Sequence, residues 1–290
     1  MRFIIHQNAM GFFHYRLHAT NEFCLNLLAP LTSGREAARF MQTLLIPGVA
    51  SAFSALGDAM VARKLFELVG SDPQRVFSPY CWRTRMALAH KGLKAETIPW
   101  RFTEKDAIKS HNSDKVPVFL DGERAVADSW EIANYLEDTY PDRPSLFGGE
   151  GGRAMARMLN SWGDVMVGHL ASFIVTDVHE RLLPKDQAYF RTSREARFGK
   201  SLEDVVADRD ARVDAFRRYL DPLRLTLRKQ PFIGGTSPNY GDYIVFGQFQ
   251  WARVVSSFQL LKEDDPVYAW RERLLDAFDG MARKSPSYAA

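Results

Sequence analysis

Hydrophobic and polar positions first fall into a clear pattern at residue 64. Residues 64–69, Lys-Leu-Phe-Glu-Leu-Val, form a short apolar stretch closed by Gly70, which predicts a buried strand. A loop follows at Ser71-Asp72-Pro73. Ser78-Pro79 then predicts a helix start, with serine as N-cap and proline at the first helical position. That helix is expected over residues 80–90, ending at Lys91-Gly92. Residues 96–100 read as an edge strand, since Pro99 is tolerated only where a ladder donor can be missing. Residues 103–110 read as a short polar helix. Residues 116–120 and 125–127 flank Asp121-Gly122, a strong hairpin signal. Asp128 or Ser129 then caps a helix whose apolar face is Ile132, Tyr135 and Leu136.

Beyond this small α/β unit the pattern changes. Pro141-Asp142-Arg143-Pro144 and Gly148-Gly149 mark a linker, and the rest of the chain is expected to be helical. Leu159, Trp162, Met166, His169 and Phe173 step by three and four residues along one helix face. Asn239-Tyr240-Gly241-Asp242 opens another helix as a capping box, with Asp242 reaching back to the Asn239 backbone. No internal repeat is present. The predicted fold class is α+β: a thioredoxin-like α/β domain with a mixed sheet over residues 60–140, a linker over 141–149, and an all-helical domain over 150–290.

The amino-terminal stretch is different. Residues 1–31 show no sustained helical or alternating period. Residues 39–52 imitate a short signal core with a small-residue exit, but they lie too far from the amino terminus for a secretory signal. Residues 1–59 are therefore expected to be a disordered extension or an over-long start assignment, in preference to a cleaved targeting segment.

Composition narrows the class. The chain has 290 residues, 46% of them hydrophobic and 25% charged, a balance that supports two globular domains with real cores. The net charge is only +3 with no dense basic run, which argues against a nucleic-acid partner. Two cysteines, Cys24 and Cys81, give neither metal spacing nor a disulfide framework, and fit a reducing, cytoplasmic compartment. No apolar run is long enough to cross a membrane.

Residues 77–84, Phe-Ser-Pro-Tyr-Cys-Trp-Arg-Thr, resemble the active-site turn of serine-type glutathione transferases. Lys115-Val116-Pro117-Val118 resembles the cis-proline strand of cytosolic glutathione transferases, and residues 128–136 (Asp-Ser-Trp-Glu-Ile-Ala-Asn-Tyr-Leu) resemble the start of their glutamyl-binding helix. Tyr140-Pro141-Asp142-Arg143-Pro144, Leu183-Pro184-Lys185-Asp186 and Ser193-Arg194-Glu195 point further, to the bacterial lignin β-aryl-etherase type. The resemblance spans residues 62–283.

It implies that Ser78 holds the sulfur of glutathione, which serves as co-substrate. It also implies a cis bond at Pro117 that frees the Val116 backbone to pair with the peptide. Asp128 and Ser129 would meet the γ-glutamyl end, where a helix N-terminus favours a carboxylate. Lys115, or less directly His111, would pair with the glycine carboxylate. An aromatic or aryl-ether electrophile would sit between the domains, where Phe77, Tyr80, Trp162, His169 and Phe173 could wall it, although such a stripe is more often core. No metal is implied, and the protein would be a cytoplasmic homodimer. Two rival readings use the same fold: a non-catalytic carrier of glutathione and an aromatic ligand, and a glutathione-dependent thiol reductase. Cys81 occupies the second position of what would be a redox pair, but the nucleophile position is Ser78, so the residues disfavour the reductase.

The physical case for Ser78 is one of magnitude. A thiol of pKa ~8.5 is mostly protonated at neutral pH, and lowering that value by two units takes about 2.7 kcal/mol of preference for the anion. A hydrogen bond to an anion contributes ~1.5–3 kcal/mol, and the positive end of a helix ~0.3–2 kcal/mol. Together they suffice without a general base. Taken alone, Ser78 reads more readily as a plain N-cap, and the neighbouring motifs reverse that preference.

Overall fold

The computed structural model describes residues 62–288 in full and the backbone of residues 2–7, 13–19 and 23–29. The chain divides into two units, Met1–Ala62 and Arg63–Ala290.

In the first unit, strands β1 (Arg2–Gln7), β2 (Phe13–Ala19) and β3 (Phe23–Ala29) form an antiparallel meander. Its register pairs Ile5 with Tyr15 and Tyr15 with Leu27. These strands lie within residues 1–59, the stretch for which the sequence suggests a disordered extension or an over-long start assignment. Phe13, Tyr15, Leu17 and Ala19 alternate with His14, Arg16 and His18, a period-two signal one strand long. The signal-like stretch at 39–52 lies outside the described residues.

In the second unit β4 (Arg63–Leu68) leads into α1 (Pro79–His90), then β5 (Glu96–Trp100) and a short α2 (Asp106–Lys109). The hairpin β6 (Val118–Asp121) and β7 (Arg124–Ala127) follows, and α3 (Ser129–Thr139) completes the half. The sheet order is β5-β4-β6-β7, with β4 and β5 parallel and the remaining pairs antiparallel. This is the mixed sheet expected, with Pro99 on an edge strand. Gly122 takes φ +62° in the hairpin turn, which a side-chain-bearing residue adopts reluctantly.

The remainder is helical: α4 (Glu150–Glu180), α5 (Pro184–Phe198), α6 (Leu202–Val206), α7 (Arg209–Tyr219), α8 (Asp221–Leu227), α9 (Tyr240–Val255) and α10 (Pro266–Gly280). Helix α9 is buried on nearly every side and packs against α1 and α4. A Cβ at Gly247 would stand 2.4 Å from the Pro79 carbonyl oxygen, so only glycine lets α9 approach the first turn of α1 this closely. The capping box forms as expected: the Asp242 carboxylate accepts from the Asn239 amide at 3.0 Å. It also accepts from the amides of Ile233 and Gly234 and from the Trp270 indole, at 2.7–2.9 Å. One buried carboxylate thus satisfies four donors and fixes where α9 begins.

Candidate functional site

Strand register brings the sequence motifs to one end of the sheet. Phe66 pairs with Val118, Val118 with Ala127, and Leu68 with Trp100. The turn leading to Ser78, the loop after Trp100, the Val116-Pro117 bond and the Asp128-Ser129 step therefore all leave the sheet at the carboxyl end of β4. The Phe77 amide donates to the Leu68 carbonyl at 3.2 Å, which tethers the Ser78 turn to that strand.

Ser78 caps α1 from an extended backbone, and its hydroxyl oxygen accepts from the Cys81 amide at 3.4 Å. Its hydroxyl hydrogen is donated to no oxygen among the described residues, its side-chain partner being the weakly accepting Cys81 thiol, and the residue is 4% exposed. It can accept from the helix and still donate outward. Cys81, one turn on, is fully buried, and burial, with Glu67 nearby, pushes its thiol up to about 12. A thiol in that state is neither nucleophile nor redox partner at neutral pH.

Pro117 follows a cis bond, as expected. Its carbonyl accepts from the Asp128 amide at 3.2 Å, so the cis-proline strand and the start of α3 meet directly. The Asp128 carboxylate accepts from the amides of Trp130 and Glu131 at 2.8 and 3.3 Å, leaving its other oxygen to solvent. Ser129 is buried, its hydroxyl makes no hydrogen bond among the described residues, and its carbonyl accepts from the Tyr240 phenol at 2.6 Å. Tyr240 thus ties the helical half to this end of the sheet. Its place in the capping box was visible in the sequence, but a contact 111 residues away was not. Lys115 is exposed and makes no ion pair among the described residues, while its backbone is held by the Ser113 hydroxyl. His111 lies half-buried against Phe66.

Arg83 was missed as an organising residue. It is fully buried, donates to Asn160 at 2.9 Å and to Asp164 at 3.4 Å, and lies 4.5 Å from the Tyr80 ring centroid. Burial raises the Tyr80 phenol above its ordinary range, and the Arg83 charge opposes the shift. A Cβ on Gly163 would stand 2.9 Å from the guanidinium, so the α4 glycine makes room for it. Of the proposed aromatic wall, Phe77 and Phe173 are core residues, whereas Trp162 and His169 pack on Tyr219, with ring centroids 5.7 and 4.7 Å apart. A cavity of about 770 Å³ borders His90, at the opposite end of α1 from Ser78, and contains none of the expected site residues.

Comparison with known proteins gives a consistent result. A family model for the glutathione S-transferase N-terminal domain matches residues 77–139, and one for the glutathione S-transferase C-terminal domain matches residues 154–275. A glutathione S-transferase-like protein of Aspergillus flavus is 28% identical over 142 residues, covering 44% of this chain and 50% of that protein. A probable glutathione S-transferase of Glycine max is 30% identical over 131 residues, covering 43% and 55%. The chain spans about half the length of the curated relatives it matches. Among solved structures, a glutathione transferase of Phanerochaete chrysosporium is 27% identical with a TM-score of 0.61, covering 76% of this chain and 92% of that one. A glutathione S-transferase of Ceriporiopsis subvermispora, solved in complex with glutathione, is 23% identical with a TM-score of 0.66, covering 75% and 96%; this likeness is one of fold.

Proposed function

Because the chain belongs to the glutathione S-transferase family, with both domain models matched in order, we propose that it binds glutathione and activates its thiol at Ser78. The thiolate attacks an electrophilic carbon of an aromatic or aryl-ether compound. A sulfur–carbon bond forms, the bond to the leaving group breaks, and the thiol proton passes to solvent.

The observation that carries this reading is the Ser78 hydroxyl. It stands at the amino end of a twelve-residue helix, beside the amides of its first turn, and donates to no oxygen among the described residues; its side-chain neighbour is the weakly accepting Cys81 thiol. Pro117, Val116, Asp128 and Ser129 leave the same end of the sheet and form the bed for the tripeptide backbone and its γ-glutamyl group. Lys115 meets the glycine carboxylate. The β-aryl-etherase type rests on the sequence motifs, and a cytoplasmic homodimer belongs to the same reading.

Ser78→Ala removes the hydroxyl and keeps the helix end. The pKa of bound glutathione then rises by about one to two units, from ~1.5–3 kcal/mol for a hydrogen bond to a charged group. Turnover at neutral pH falls roughly ten- to hundredfold, and less at high pH. The check is ultraviolet thiolate absorbance of bound glutathione against pH in both proteins. Superimposable curves would mean that Ser78 is only a cap. Normal thiolate formation with no turnover of any aryl ether or aryl halide would instead favour the carrier.

The thiol-reductase reading is opposed by the buried, strongly protonated Cys81. Cys81→Ser should keep glutathione transfer within about twofold, because an inert thiol takes no part in the chemistry. Loss of all activity in that variant would restore the reductase.

A further inference from the structure

Helix α5 carries the Ser193-Arg194-Glu195 motif, which the glutathione site does not use. Arg194 and Arg197, three residues apart, share one face of that helix. Arg194 is half-buried, with its guanidinium 5.5 Å from the Phe102 ring centroid and 4.6 Å from that of Phe190. Its only hydrogen bond among the described residues is to the Ser193 hydroxyl, at 2.9 Å. Neither arginine is paired with a carboxylate among the described residues. The nearby acids are engaged elsewhere: Glu195 with Arg191 at 2.9 Å, Asp186 with the Thr103 amide at 2.9 Å, and Asp164 with Arg83 at 3.4 Å.

The place of this pair matters. Phe102 lies in the loop that leaves the sheet after Trp100, at the same end as Ser78, and its ring centroid is 6.3 Å from that of Phe77, the residue before Ser78. Tyr189 adds a second ring against Phe102, at 6.1 Å. Burial and the neighbouring Arg197 charge both push Arg194 below the ordinary arginine range. One cation on an aromatic floor and a second a turn away, neither with a carboxylate partner among the described residues, favour a planar anion that can accept from both.

We infer that Arg194, held against the Phe102 and Phe190 rings, and Arg197, one turn on along the same helix, form the recognition site for an anionic aromatic second substrate: an aryl compound bearing a carboxylate. The inference rests on the glutathione-transferase reading and assigns the charge of its electrophile. Glutathione itself carries carboxylates, so the test separates the two sources.

The experiment compares two substrates at saturating glutathione, 4-chloro-3-nitrobenzoate and its neutral methyl ester. In each the thiolate displaces chloride; the ester ring is intrinsically the more reactive, so each kcat/KM is taken relative to the uncatalysed reaction of that compound with glutathione. Wild-type protein is expected to favour the carboxylate. Arg197→Gln, at an exposed position, and the double variant Arg194→Gln/Arg197→Gln should lower kcat/KM for the carboxylate by about tenfold or more, the loss of charge-assisted contacts. The ester should change by less than about twofold. Arg194→Lys/Arg197→Lys, which keeps both charges, should retain a preference for the carboxylate. Equal effects on the two substrates, or no effect, would overturn the inference. A raised KM for glutathione with an unaltered carboxylate-to-ester ratio would also overturn it, since the arginines would then serve the tripeptide.

Calorimetric titration with 4-nitrobenzoate, without glutathione, decides the matter independently of turnover. Weaker binding in Arg197→Gln upholds the anion site even if no substrate is turned over, in which case the transferase reading is the one that fails. Unchanged binding, or none in wild type, removes the site.

Discussion

At the scale of single residues, neighbours in sequence divide structural and chemical roles cleanly. Asp128 and Ser129 are adjacent, yet the first spends a carboxylate oxygen on two helix amides and the second has a hydroxyl with no hydrogen-bond partner among the described residues. Replacing either with alanine should weaken glutathione binding about ten- to hundredfold, since each loses a partner worth ~1.5–3 kcal/mol to a charged group. Stability separates them. Asp128→Ala also loses a cap, at about 0.5–2 kcal/mol, whereas Ser129→Ala does not. Titration calorimetry with urea unfolding measures both effects, and unchanged affinity in both variants removes them from the site. At this scale the sequence was informative where short range decides. Ser78 as a cap, the turn at Gly122 and the Asp242 box were all legible. Arg83 was not, because its partners Asn160 and Asp164 lie in another domain and nothing local marks them as a pair.

At the scale of elements, α1 is functional at one end and structural at the other. His90, in its last turn, faces the Tyr243 hydroxyl, with 2.7 Å between Nδ1 and the oxygen, and burial lowers its pKa below the usual 6.5. A cation there would suit the helix dipole, but burial prevails and the ring stays neutral. As pH falls, the unfolded chain takes up this proton first. The contribution of His90 to stability is therefore present above its ordinary pKa and lost as pH drops below it. Urea midpoints measured from pH 7.5 down to 5.5 should fall more in wild type than in His90→Gln. Parallel pH profiles would show that the ring is not held neutral. His179 is also shifted downward, by burial and Arg191, so the difference between the two proteins is what isolates His90. Helix boundaries were readable to within a few residues because caps, prolines and glycines are local devices. The apolar stripe on α4 was read correctly as a helix face but not as to destination: Met166 and Phe173 are buried while His169 is exposed.

At the scale of the molecule, residues 63–290 form a unit with its own continuous core, from Leu65 in β4 to Ala282 beyond α10. A protein beginning at Met60 should accordingly fold and bind glutathione as the full chain does. Equal melting temperatures and equal affinities are the expected result, and a large fall in melting temperature on truncation would show that the first unit supports the second. The order of elements in the second unit was readable because strand, helix and hairpin signals recur in a recognisable sequence. The three strands before residue 30 were not, since no Asp-Gly-type turn or helix cap flanks them to mark where they begin and end, as Asp121-Gly122 does for β6 and β7.

One feature of the larger unit bears on how such proteins diversify. The groups proposed to hold glutathione hang from the sheet and the helices directly joined to it, whereas Arg194 and Arg197 ride on α5, pinned to the sheet side through the Asp186–Thr103 hydrogen bond. A lineage can therefore exchange residues on one face of α5, trading cations for neutral or acidic side chains, while every backbone contact that fixes Ser78 is inherited intact. Gene duplicates of this protein should differ first at that face, and their preferred electrophiles should diverge in charge before they diverge in thiol chemistry.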